Sequence, residues 1–166
     1  MTIQLSHLEE VKKIYTKLNM FTPEEVDMER LRLLFRFGYT TKKSVTKMFC
    51  INGLYSMVLN SRTSHQQQWE DFVRELGHVI KHCGNQFNMN RMFRQLQKYQ
   101  ANSFMYHFCV PTFMLEKISF PRMQSEAIKL IGDTFNVTYP FTAKRLEMYK
   151  RKLFSILWHQ KLYQAN

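Results

Sequence analysis

The chain has 166 residues, 45% of them apolar, with 14 Phe, 8 Tyr and 11 Met but only 5 Gly and 4 Pro. That length fits a single domain over 1–166 with a true core, and so few turn residues argue against sheets and barrels and for an all-α bundle. The net charge is +11, and the longest uncharged runs are too short or too polar to span a bilayer, so composition points to a basic, polyanion-attracting protein and excludes a membrane one.

Leu5, Leu8, Val11, Tyr15 and Leu18 recur at helical spacing and predict a first amphipathic helix ending near Asn19. Thr22-Pro23-Glu24-Glu25 combines an N-cap, a proline at the first helical position and a glutamate at the third. It predicts a second helix running through Met28, Leu31, Leu34 and Phe35 to a stop at Gly38. Glu24 and Glu25 suit the positive end of that helix dipole and are not read as catalytic. From Thr40 or Thr41, the spacing of Val45, Met48, Phe49, Asn52 and Tyr55 predicts a third helix. Its apolar second half, Leu54 to Leu59, is a central helix or, as the lesser alternative, a short strand after Gly53. A loop follows from Asn60 to Thr63.

The stretch from Ser64 to Cys83 carries the clearest signal. Trp69, Phe72, Val73, Leu76, Val79, Ile80 and Cys83 lie on one helical stripe, with Glu70, Asp71, Arg74, Glu75 and Lys81 expected to point away. Ser64 with Gln67 forms a capping box, and Gly84 suits a helix stop. A lone helix of this kind is not stable, so other helices must cover its stripe.

Beyond Gly84, Met89, Met92, Phe93, Leu96 and Tyr99 predict the buried side of a fifth helix, opposite Arg91, Arg94 and Lys98. Ala101 to Val110 either continues that helix or forms a buried extended stretch before Pro111. Thr112 to Ile118 reads as a short helix. Pro121 starts another, with Met123, Ile128, Ile131 and Phe135 inward and Gly132 weakening it. After a connector at Asn136 to Phe141, Thr142 caps a last helix whose faces are set by Leu146, Tyr149, Leu153, Ile156, Leu157 and Gln160. The expectation is a compact array of about seven helices.

The first 29 residues hold three bases against six acids, leaving 21 bases against 7 acids in the other 137. Fourteen of those bases form four clusters: Arg30, Arg32 and Arg36; Lys42, Lys43 and Lys47; Arg91, Arg94 and Lys98; and Lys144, Arg145, Lys150, Arg151 and Lys152. Packed onto one face they make a track for RNA or DNA phosphates, with Tyr39, Tyr99 or Tyr149 offering rings to bases. Left apart, they are solvated faces. The alternative function is a helical adaptor whose basic and Met-rich or aromatic surfaces meet an acidic or helical protein partner.

His78 and His82 stand one helical turn apart beside Cys83, with His107 and Cys109 elsewhere, but Val79 occupies the place of a peptidase glutamate and no CxxC occurs. Asp71 with Glu75 suits an acidic face better than a metal site. No G-x-S-x-G and no glycine-rich phosphate loop is present. The sequence therefore predicts a protein that is not an enzyme and carries no metal or cofactor. Cys50, Cys83 and Cys109 read as reduced core thiols, and with no signal peptide they place the chain in the cytoplasm or nucleus. Lys144 to Lys152 resembles a nuclear import run, yet its interior Leu146 and Met148 fit a packed helix better.

Overall fold

The largest departure from expectation lies between Gly38 and Asn60. In a computed structural model describing residues 7–52, 54–81 and 90–164, this segment is not a helix but three strands: β1 (Gly38–Lys42), β2 (Lys47–Ile51) and β3 (Leu54–Asn60). β3 lies in the middle, parallel to β1 and antiparallel to β2. The expected all-α bundle of about seven helices is thus corrected to a mixed fold of helices and a three-stranded sheet.

The residues explain why. Met57 and Leu59 are buried while their neighbours are less so, a period of two that marks a strand. Ile51 pairs with Leu54, so the β2–β3 link is the two residues Asn52-Gly53, and Asn52 has a φ of 52°. Asn-Gly favours the left-handed backbone that tight hairpins demand. The helical spacing that includes Val45 and Phe49 was coincidental, since both side chains are exposed.

Two compact units divide the chain, Met1–Ile118 and Ser119–Asn166. The first contains α1 (His7–Leu18), a 3-10 turn (Pro23–Glu25), α2 (Met28–Phe35), the sheet, α3 (His65–Lys81), α4 (Arg91–Cys109) and α5 (Thr112–Leu115). Val11 and Tyr15 of α1 are buried as the spacing predicted, and the Tyr15 hydroxyl donates to the Phe108 carbonyl at 2.8 Å. Glu25 accepts from the amides of Phe21 and Thr22 at 2.6 and 3.1 Å, closing the expected capping box, but only one 3-10 turn follows. The chain extends at Asp27, whose carboxylate then accepts from the Glu29 amide at 3.0 Å and starts α2 afresh.

Helix α3 is the centre of this unit. Trp69, Phe72, Val73 and Leu76 are buried, and the Phe72 ring lies 5.5 Å from Phe37, 5.8 Å from Tyr39 and 5.9 Å from Trp69. Burial extends beyond the stripe: Glu70 and Asp71, expected outside, are only 5% and 9% exposed. At Gly77 an added Cβ would stand 3.0 Å from Phe104 and 3.4 Å from the Ala101 backbone, so absence of a side chain there lets α3 and α4 approach closely. α4 stays helical through Cys109 and buries Gln97, Ala101, Phe104, Met105 and Phe108. Met92, Phe93, Leu96 and Tyr99, expected on its buried side, are exposed. Cys109 is buried, whereas Cys50 is exposed rather than a core thiol.

In the second unit, α6 (Gln124–Thr134) packs on α7 (Tyr139–Gln164). Ala127, Ile131, Phe135, Val137, Phe141 and Leu146 are buried, while Met123 is exposed. α7 begins three residues ahead of Thr142, whose hydroxyl donates to the Thr138 carbonyl at 3.1 Å. Leu153, Ile156 and Leu157 in its later turns are exposed. Among the described residues no helix is long and apolar enough to cross a membrane.

Candidate functional site

Strand order brings one group of cations together. β1 and β3 run parallel and finish side by side, with Lys42 opposite Asn60, while antiparallel β2 begins at that same end with Lys47 opposite Val58. The Lys42 carbonyl accepts from the Ser61 amide at 2.9 Å and the Ser44 amide at 2.7 Å, tying the β1–β2 turn to the loop after β3. Lys42, Lys43, Lys47 and Arg62 therefore converge at one end of the sheet, all exposed. From Arg30 to Trp69 the chain contains no Asp or Glu; the carboxylate that reaches this end, Asp71 through Thr46, is buried and ion-paired to Arg74. Arg62 was absent from the clusters read in the sequence because it lies in the loop; only strand register reveals its neighbours.

The other basic candidates are dispersed. Arg30 of α2 and Arg36, which caps its C-terminal end, are exposed, and Arg32 is ion-paired to Glu29 at 2.7 Å. Arg91, Arg94 and Lys98 are exposed on α4 among the exposed Met92, Phe93 and Tyr99. In the second unit Lys144 and Arg151 both pair with Glu147, and Lys150 and Lys152 are exposed. Arg145 is only 1% exposed, and burial pushes its pKa down to about 10. It belongs to the interior of that unit and presents no charge to a polyanion.

Helix α3 holds a second, differently built charge group. Arg74 lies 3.2 Å from Asp71 and 3.5 Å from Glu75. Asp71 also accepts from the Thr46 hydroxyl at 3.2 Å and the Gln67 side-chain amide at 3.4 Å, and the Thr46 hydroxyl in turn accepts from the Asn60 amide at 3.2 Å. These bonds stitch α3 to the sheet. Desolvation raises the Glu75 pKa, with Arg74 opposing the shift and Asp71 adding to it. Burial and the nearby Glu70 charge push the Cys109 thiol well above its usual range, so it is not primed as a nucleophile. His82 and Cys83, weighed as metal ligands with His78, lie outside the described residues.

The model of the Peptidase_M78 family, the IrrE N-terminal-like domain, matches residues 29–147, and the chain belongs to this family. The chain is 45% identical over 159 residues to the phage-like element PBSX protein XkdA of Bacillus subtilis (strain 168), covering 95% of this chain and 80% of that protein. To the uncharacterized protein YqaB of the same organism it is 35% identical over 156 residues, covering 93% and 91%. A Mycobacterium tuberculosis transcriptional regulator shares the fold, with a TM-score of 0.59 at 14% identity over 82% of this chain. The chain spans 44% of that regulator's length.

A family named for a peptidase invites a test of the residues against a metal. Zinc peptidases with a helical H-E-x-x-H motif hold the ion with both histidines and use the glutamate as base. Here Glu75 and His78 stand where that glutamate and the second histidine belong, and Arg74 stands in place of the first. The sequence reading missed this register by counting forward from His78 to His82 instead of back to Arg74. α4, packed on α3, contains no Asp or Glu. Among the described residues no group of three or more His, Cys, Asp or Glu is placed to share a metal. A catalytic zinc takes three protein ligands, and the residues present do not fit one.

Proposed function

We propose that this chain is a DNA-binding regulatory domain of a phage-like element that grips the phosphate backbone through the cationic end of its sheet. The observation that carries the reading is the convergence of Lys42, Lys43, Lys47 and Arg62 beside a stretch free of acids. The element named in its relative XkdA and the regulator named in its structural neighbour support the regulatory half. Binding of this kind draws its strength from counterion release and carries no base sequence by itself. Arg91, Arg94 and Lys98 on α4, and Lys150 and Lys152 on α7, supply further exposed charge. Neither RNA, nor an acidic protein partner, nor a nuclear location gains support from the relatives, and none is carried forward.

The test is a titration of labelled duplex DNA at several salt concentrations. Four phosphate contacts predict a log-log salt slope of roughly −3.6, and Lys42→Glu with Lys43→Glu and Lys47→Glu should flatten it by about three. Absence of binding at low salt, or an unchanged slope in the folded triple variant, overturns the reading.

A further inference from the structure

We infer that Arg74 supplies, as a fixed side-chain cation, the positive charge that a metal ion supplies in an H-E-x-x-H helix, so that this member of a peptidase-named family is built without a metal centre and does not hydrolyse peptides. Arg74-Glu75-Leu76-Gly77-His78 keeps the glutamate and second histidine of that motif in register and changes only the first ligand. A guanidinium has five donors and no lone pair to give, so it is not a metal ligand in any protonation state a protein reaches. The substitution replaces ligand by charge.

The surroundings fit such a replacement. Glu70, Asp71 and Glu75 fall within two turns of one helix; the first two are buried, and the Glu75 side chain is only 15% exposed. Asp71 and Glu75, so placed, need a counter-charge. Arg74 stands between these two, 3.2 Å from Asp71 and 3.5 Å from Glu75. Asp71 is in turn fixed by Thr46 and Gln67, so the guanidinium sits against an anchored partner and not a mobile one. Glu75, the residue that would have to take a proton from water in a hydrolytic site, faces a permanent cation instead.

The inference is independent of the DNA reading, since its test contains no nucleic acid. Full-length protein is purified without a histidine tag, its zinc content is measured by plasma mass spectrometry, and its melting temperature is recorded with and without EDTA. We expect far less than one zinc per chain and no change with chelator. A stoichiometric metal, or a melting temperature lowered by EDTA, overturns the inference. As a second arm, Arg74→His places an imidazole one turn before His78, a spacing at which two imidazoles chelate zinc. The variant's melting temperature should rise on adding zinc while that of the parent does not. A folded Arg74→His protein indifferent to zinc overturns the assignment of register; if that variant does not fold, the metal content and EDTA response of the parent still decide the matter.

Discussion

Two charged regions of the first unit lie close in sequence and are built on opposite principles. At the sheet end, Lys42, Lys43, Lys47 and Arg62 are exposed, share one sign and lie in a stretch without acids. On α3, Asp71, Arg74 and Glu75 mix both signs, are largely withdrawn from water and are joined by ion pairs and hydrogen bonds. In water, a cation is cheap to keep and acts at a distance through its field; in the interior, a charge is tolerated only with a partner, and its removal strands that partner. The first arrangement suits attraction of a polyanion, the second suits a fixed framework.

The contrast can be broken most forcefully on the buried side. Trp69→Ala removes a ring that stacks on Phe72 at 5.9 Å and should cost about 3–5 kcal/mol in urea unfolding. A loss under about 1 kcal/mol would show that α3 is not the centre of the core. Arg74→Met leaves Asp71 and Glu75 without their cation. Because the Arg74 side chain is 35% exposed, we expect a loss below the value for a fully buried pair, about 1–3 kcal/mol. Unchanged stability would remove Arg74 from the framework.

Acidity sharpens the comparison without a large change in stability. Desolvation raises Glu75 above its usual 4.5, so the folded state holds that proton more tightly than the unfolded chain. Its contribution is present below 4.5 and is lost as pH rises through the folded value. Glu75→Gln should accordingly gain on the parent in melting temperature as pH rises from about 4 to about 7; a constant difference would contradict the shift. Exposed Glu29 has the opposite sign: hydrogen bonds from Arg32 and then Tyr39 lower its pKa, so its contribution is present above the usual 4.5 and fades as acid protonates it. The smallest stability effect belongs to the sheet end, where Lys42→Glu, Lys43→Glu and Lys47→Glu should each stay within about 0.5 kcal/mol while DNA affinity collapses. Unfolding of the triple variant would place these lysines in the framework after all.

How much of this was readable from residues alone depends on the range of the interaction. α1, the Glu25 capping box and the Trp69, Phe72 and Leu76 stripe were legible because each is fixed by residues three or four apart. The sheet was legible only in part: a short strand after Gly53 was the lesser reading of Leu54 to Leu59 and matches β3, but apolar residues of β2 and β3 mimic helical spacing over a few turns, and Asn52-Gly53 was not read as a hairpin link. Glu70 and Asp71 were assigned outward by the amphipathic rule, which fails for a helix covered on more than one side. The exposed lysines were named individually, but their convergence with Arg62 is a property of strand order. Arg74-Glu75-Leu76-Gly77-His78 lay in plain view and needed only the motif to be read one turn earlier.

The order β1-β3-β2 also governs what a growing chain can do. Both outer strands are synthesised before the one strand that pairs with either of them, so β1 and β2 leave the ribosome with their backbone groups unmatched. The two-residue link lets β2 and β3 close at once, whereas β1 must wait to close the longer loop from Gly38 to Ser56. A fragment that stops before Leu54 therefore holds two strands and no sheet, with both edges open to other chains.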